Sequence, residues 1–228
     1  MTKKDTEDHP LSDFVSESRN ERLKNVARER TNNLTVVLDK VRNYHNISAV
    51  LRSADAFGLS TVYLIGKEFQ YSRTISKGSE KWMRIIRHPN AESAYAELKK
   101  EGFKFVVLQA EEINSKKEGL KQLPVYDLPF DEKLALVFGN ENLGVSDTFM
   151  NGASFGAHIP MFGFVESFNI SVACAITLYS SLLGKCEGRR IPQTLNQDEQ
   201  SELMDTWLRK DVKDAENILK HIELRDNE

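Results

Sequence analysis

Two well-separated stretches hold residue types that can grip an anion and a flat ligand. In Asn46-Ile-Ser-Ala-Val-Leu-Arg52, preceded by His45, a cap amide, an imidazole and a guanidinium gather at the start of one helical pattern. Helix N-terminal N–H groups favour negative charge, so this stretch suits a phosphate and its ribose. The plainer alternative is that Asn46 only caps its helix and Arg52 pairs with Asp55, an exposed contact worth about 0.2–0.5 kcal/mol. The second stretch is a series of turns: Gly139-Asn-Glu-Asn-Leu-Gly144, Ile159-Pro-Met-Phe-Gly163 and Ser167-Phe-Asn-Ile-Ser171. Glycine and amide turns converging at one sheet edge make a pocket of backbone groups, suited to a neutral purine with a small polar tail. An adenosine-type cofactor fits that description. Gly139 and Gly144 do not form the dinucleotide glycine fingerprint, and no Gly-Lys-Ser/Thr follows as in a nucleoside-triphosphate loop. Glu141 either faces the pocket or caps a short helix near Val145.

These residues need a scaffold, and the pattern around them supplies one. Runs rich in β-branched residues predict strands at Leu34–Leu38, Thr61–Ile65, Phe103–Leu108, Leu134–Phe138 and Ala157–Ile159. Between them, helical patterns cover Ile47–Phe57, Glu92–Glu101 and Asn169–Leu183. Strand and helix in alternation mean a parallel sheet covered by helices, an α/β fold. Asn46 is expected as the N-cap of a helix whose buried stripe is Ile47, Val50, Leu51 and Ala54. Ser167, Asn169 and Ser171 are expected to open the later helix. Residues 1–15 read as a solvated polar tail, 16–30 as a basic helix, 31–190 as the α/β domain and 191–228 as a helical extension, with one helix over Gln197–His221.

Composition narrows the partners. With 31 Lys+Arg against 34 Asp+Glu the net charge is −3, so any nucleic acid must meet a local patch. The helix at Arg19–Arg30 offers one, because Arg19, Arg22, Lys24, Arg28 and Arg30 outnumber Glu21 and Glu29. It is either a solvated surface helix or an RNA-facing arm. Cys174 and Cys186 are the only cysteines, which suggests neither a disulfide framework nor a zinc site and fits a cytoplasmic protein. The longest apolar-leaning stretch, Ile170–Leu183, is too short to span a bilayer.

The blocks Asp39–Gly58, Leu136–Ser146 and Ile159–Ala173, in that order, resemble the SPOUT RNA 2′-O-ribose methyltransferases, and among them the TrmH group that modifies tRNA guanosine. The resemblance covers about Arg19–Gly184. It implies a parallel-sheet SPOUT fold with a C-terminal deep trefoil knot at roughly 134–184, flanked by N- and C-terminal helices, in a homodimer that binds S-adenosylmethionine and needs no metal. It implies catalytic roles for Arg52, Asn46, Glu141, Ser167 and Asn169, and cofactor contacts, mostly backbone, at Leu108, Gly139, Ile159, Met161 and Phe168. The sequence departs from the family pattern in three places. Phe162, Phe164 and Phe168 stand where Leu or Met is common, Tyr44 replaces the proline before the His-Asn pair, and Leu183 and Lys185 replace two arginines.

The implied reaction is attack of a ribose 2′ oxygen on a sulfonium methyl, on the D-loop guanosine at position 18 of tRNA. Arg52 acts either as a perturbed base or as an electrostatic stabiliser of the oxygen. RNA contacts are expected from Arg19, Arg22, Arg28, Arg30, His45, Arg73, Lys77, Lys81 and Lys185. The rival readings are a ribosomal RNA methyltransferase of the same superfamily, a non-catalytic RNA-binding relative and a Rossmann oxidoreductase.

Overall fold

The computed structural model describes residues 9–67, 70–109, 119–183 and 195–226. The chain divides into two compact units, one of residues 31–194 and one that joins residues 1–30 to 195–228.

In the larger unit every strand pairing is parallel. The strands are β1 (Leu34–Asp39), β2 (Thr61–Ile65), β3 (Arg84–His88), β4 (Lys104–Leu108), β5 (Gln122–Pro124), β6 (Leu134–Gly139) and β7 (Phe155–His158), and they lie in the order β3-β2-β1-β6-β4-β7-β5. β1 and β6 sit centrally and are buried nearly throughout, which is why they read as continuous apolar runs. The α/β parallel sheet expected from sequence is therefore the sheet observed. β3 and β5 are additions that the sequence pattern passes over. β3 begins and ends in charged residues and buries none of its side chains fully, and β5 has three residues and ends at Pro124. Neither presents the apolar run that marks a strand.

Helices cover both faces. On one, α2 (Tyr44–Ala56) and α6 (Ile170–Leu183) pack Ile47, Val50, Leu51, Cys174 and Leu178 into a core with Val36, Leu38 and Leu136. On the other, α4 (Ala91–Lys100) and α5 (Asp147–Gly152) pack Ala94, Leu98, Phe149 and Met150 against Val37, Val107 and Val137. From β1 the chain crosses through α2 to β2; from β6 it leaves through α5 toward β7 on the other side of the sheet. Two adjacent parallel strands whose connections part in opposite directions leave a crevice at their carboxyl ends. There Asp39 stands opposite Gly139.

The smaller unit is helical. α1 (Glu17–Arg28) packs with α7 (Gln197–Asp211), and α8 (Ala215–Asp226) follows. Instead of one helix over 197–221, the chain breaks at Val212–Asp214, where Asp214 adopts a positive φ of 58°. Nor is the whole of 1–15 a solvated tail: Pro10–Phe14 forms a 3-10 turn with Leu11 fully buried, begun by His9, whose ring accepts from the Leu11 N–H. His9 also contacts Asp205 at 2.9 Å. Asp205 is partly buried, which alone would raise its pKa, yet hydrogen bonds from Arg209 and His9 hold it below the usual carboxylate value.

Candidate active site

The first helix begins one turn earlier than its hydrophobic stripe suggests. Asn43 is the N-cap of α2, and its side chain accepts from the N–H groups of His45 (2.9 Å) and Asn46 (3.3 Å). Asn46, expected as the cap, is thus a residue of the first turn, and its own amide is free for tertiary contacts. That amide joins the three distant blocks. Asn46 Nδ2 donates to Glu141 Oε1 at 2.7 Å, and Asn169 Nδ2 donates to Asn46 Oδ1 at 3.1 Å. Asn169 Oδ1 in turn accepts from the Ser171 N–H at 2.9 Å and from its hydroxyl at 2.6 Å. Asn169 is the residue that opens α6, as the sequence suggests. Glu141 is an acceptor only, so it fixes which end of the buried Asn46 amide faces it, and the rest of the line follows. A hydrogen bond to a charged group is worth about 1.5–3 kcal/mol.

The loop that carries Glu141 is closed on itself. Asn140 and Gly144 exchange backbone hydrogen bonds of 3.1 and 2.8 Å, and the Asn140 side chain accepts from the N–H groups of Asn142 and Leu143. Its Nδ2 donates to the Lys40 carbonyl at 3.1 Å, tying the loop to the end of β1. Buried Asp39 completes the anchor by accepting from the Ser146 N–H at 2.7 Å, just before α5. A side chain at Gly139 has no room, because a Cβ there would stand 2.3 Å from the Gly144 carbonyl carbon and 2.4 Å from the Val145 nitrogen. Sequence reasoning missed Asn43, Asn140 and Asp39. For Asn43 the signal was present, an Asn directly before a helical pattern; for the other two, only the fold reveals the partner.

Arg52 lies on α2 beyond Asn46 and is exposed. Among the described residues no hydrogen bond or ion pair holds its guanidinium, so the pairing with Asp55 that the sequence offered is not made. Ser167 is exposed on the loop two residues before Asn169, outside the hydrogen-bonded line. Leu108, Gly139, Ile159 and Met161 are all partly buried, and Leu108 pairs with Ala157 next to Ile159. These positions lie at the carboxyl ends of the adjacent strands β4, β6 and β7. Gln109, beside them, has a buried Oε1 without a partner among the described residues. Phe168 is 40% exposed, and Phe162 and Phe164 project fully into solvent. Burial pushes the Cys174 thiol up, which leaves it inert in the core.

The basic residues divide. Arg22, Arg28, His45, Arg73, Lys77 and Lys81 are exposed. Arg19 is held by Asp211 through bonds of 2.8 and 3.0 Å, which raise its pKa. Arg30 does not face solvent: it is 1% exposed, with its guanidinium carbon 5.5 Å from the centre of the Trp207 ring. The expectation that Arg30 contacts RNA is corrected by that packing. Lys185 lies outside the described residues. Ser48, buried in α2, donates to the Tyr44 carbonyl at 2.6 Å and accepts from the Ser72 N–H at 2.8 Å, so the segment bearing Arg73, Lys77 and Lys81 is pinned to the helix that carries Arg52. Among the described residues no cluster of His, Cys, Asp or Glu could hold a metal ion, and no helix is long and apolar enough to cross a membrane.

Comparison with known proteins places this geometry. Residues 33–179 match the SpoU rRNA Methylase family. The chain is 34% identical over 210 residues to the tRNA (guanosine(18)-2′-O)-methyltransferase of Borreliella burgdorferi, covering 91% of this chain and 92% of that one. Among solved structures it is similar to the Aquifex aeolicus TrmH/SpoU tRNA modifying enzyme, with a TM-score of 0.74, 32% identity and coverage of 86% and 98%. The SpoU methyltransferase AviRb of Streptomyces viridochromogenes, solved with AdoMet, shares the fold at a TM-score of 0.56 and 22% identity, covering 67% of this chain and 59% of its own.

Proposed function

The chain belongs to the SpoU methylase family, and from that membership we propose that it is a tRNA 2′-O-ribose methyltransferase using S-adenosylmethionine, acting on the guanosine at position 18. The observation that carries this reading is the hydrogen-bonded line Glu141–Asn46–Asn169, which draws the three blocks together at the start of the helix that carries exposed Arg52. The substrate is read from the Borreliella relative, whose name specifies that nucleotide.

The cofactor's chemistry agrees with the residues present. The edge formed by Leu108, Gly139, Ile159 and Met161 offers backbone groups, a thioether and the Gln109 acceptor. When bound, S-adenosylmethionine supplies a methyl group on positively charged sulfur. The protein's part is to bring a ribose 2′ oxygen to that methyl, and such positioning can lower a barrier by about 7–11 kcal/mol. With the hydroxyl proton passed to solvent, Arg52 would donate to the negative charge left on the oxygen, which takes the methyl as the donor's carbon–sulfur bond breaks. A guanidinium keeps its protons at neutral pH, so it works here as a donor to that charge rather than as a base. Asn46 is held by Glu141 and Asn169 and fixes the start of the helix from which Arg52 projects.

Exposed Arg22 and Arg28 on α1, with Arg73, Lys77 and Lys81 on the segment pinned to α2, are the proposed phosphate contacts, and His45 beside Asn46 is a further RNA contact. The assembly is a cytoplasmic homodimer. Supporting it is an apolar surface on the loop before α6 and on α6 itself, where Phe162, Phe164, Val165, Val172 and Tyr179 are exposed. Sedimentation at the 26.0 kDa mass of one chain, rather than twice that, removes the dimer. The C-terminal part of the larger unit is threaded as a trefoil knot. Supporting this, the chain must return from β7, beyond β4 and β6, to pack α6 on α2. An experimental chain trace that returns without passing through a loop removes the knot.

The decisive experiment incubates the protein with unmodified tRNA and methyl-labelled donor, then maps ribose methylation. Label at the D-loop guanosine is expected. Incorporation no greater than that of an Arg52→Ala variant overturns the reading.

A further inference from the structure

We propose that Tyr44 and His45 form a stacking platform for a nucleobase of the bound RNA, the base adjoining the ribose that is methylated. The inference rests on the methyltransferase reading and assigns Tyr44 a role within it.

The two rings lie against each other in a tilted pair, with centroids 4.1 Å apart and planes inclined by 34°. Both residues are exposed, and Tyr44 keeps 44% of its surface open to solvent. The backbone beneath them is anchored. Asn43 accepts from the His45 and Asn46 N–H groups, and the Tyr44 carbonyl accepts from Ser48, itself bonded to Ser72. An aromatic pair on a fixed turn has little freedom left to lose on binding.

Placement selects the ligand. His45 directly precedes Asn46, whose amide touches Glu141 and Asn169. His45 and Arg52 are seven residues apart on one helix, hence on the same face and separated by a rise of about 10 Å. That span joins a base to the ribose of an adjoining nucleotide. Exposed Arg42, two residues before Tyr44 in the chain, suits a polyanionic backbone rather than an apolar protein segment. Every base has a π face, and single-stranded RNA is commonly read by stacking unpaired bases on such side chains.

Tyr44 is the first residue of α2, the one helical position where proline is well tolerated. Tyr44→Pro therefore removes the platform while leaving the helix start intact, and Tyr44→Phe keeps the stacking face. The test measures methyl transfer to unmodified tRNA by wild type and both variants. Tyr44→Pro is expected to raise the KM for tRNA about five- to 150-fold, the range of one aromatic–base stack, and to leave the KM for S-adenosylmethionine unchanged. Tyr44→Phe is expected to match wild type. If an active wild type and Tyr44→Pro share one KM for tRNA, the platform is wrong and the methyltransferase reading stands. A KM raised equally in Tyr44→Phe replaces stacking with a hydroxyl hydrogen bond and also overturns it. If the wild type methylates no RNA, the proposed function fails and the platform fails with it.

Discussion

At Asn46 one amide takes instructions from two sides, since Glu141 accepts only and Asn169 donates to the oxygen that remains. Replacing it by a second acid tests how much that orientation matters. Asn46→Asp sets two carboxylates in contact, and like charges so close raise the apparent pKa of the pair. Below that value one shared proton restores the bond to Glu141; above it both groups are charged and repel. Turnover by Asn46→Asp is therefore expected to fall further behind wild type as pH rises, in a pH–rate profile of kcat. Parallel profiles would show that the line through Asn46 does not govern the rate. Arg52 is a different case, because no hydrogen bond or ion pair among the described residues restrains it. Arg52→Lys retains the charge but not the planar fork. Its kcat should drop by about 10²- to 10³-fold, the cost of losing one preorganised donor to a developing oxyanion. Calorimetric binding of S-adenosylmethionine should survive, and equal loss of both would make Arg52 a structural residue. Residue types pointed to Asn46 and Arg52 as candidates, and the family resemblance added Glu141 and Asn169. They could not reveal that Asn43 takes the cap and releases Asn46, because both are good caps and only tertiary partners decide between them.

Among the elements, the turn after β6 is where chain geometry and chemistry are least separable. Glu141 reaches Asn46 only because Asn140–Gly144 closes tightly, anchored through Lys40 and Asp39. Lys40 itself adopts a left-handed φ of 58°, a conformation costly for a side chain and frequent where a site over-determines its backbone. Gly139→Ala would drive a Cβ to 2.3 Å from backbone, which cannot move aside as a side chain can. The turn must open. Urea unfolding is expected to register a loss of about 1–3 kcal/mol, as for other overpacked sites, together with a loss of methyl transfer. Gly144→Ala is the control, since its Cβ meets open space and the cost is only that of φ +72°, about 1–2 kcal/mol. Wild-type stability and rate in Gly139→Ala would mean that the turn is looser than its contacts imply. The central strands and α2, α4 and α6 were legible because burial on both faces or on one stripe imposes apolar periodicity. β3 and β5 were not, since edge strands satisfy their pairing with backbone and need no such pattern.

For the molecule as a whole, a net charge of −3 means that RNA must be held by local cations, and counting them in sequence overstates the supply. Five cations between Arg19 and Arg30 look equivalent in one dimension. Folding spends Arg30 on the Trp207 ring and Arg19 on Asp211, both contacts within the helical unit of residues 1–30 and 195–228. A periodicity argument cannot see this, because the partners lie at the other end of the chain. Arg22 and Arg28 remain exposed, and the electrostatic reading of α1 stands or falls on them. Each phosphate a protein neutralises contributes about −0.7 to −0.9 to the slope of log affinity against log salt. The double variant Arg22→Gln, Arg28→Gln should therefore flatten that slope by roughly 1.5 and weaken tRNA binding to a similar degree whatever the sequence around the target. Arg30→Gln should instead lower the stability of the helical unit and leave the slope alone, because a buried guanidinium stacked on a ring neutralises no phosphate. Were the slopes reversed, with Arg30 steepening binding and Arg22 and Arg28 silent, the RNA would have to approach through a rearranged helical unit, and the exposed face of α1 would be only solvated surface.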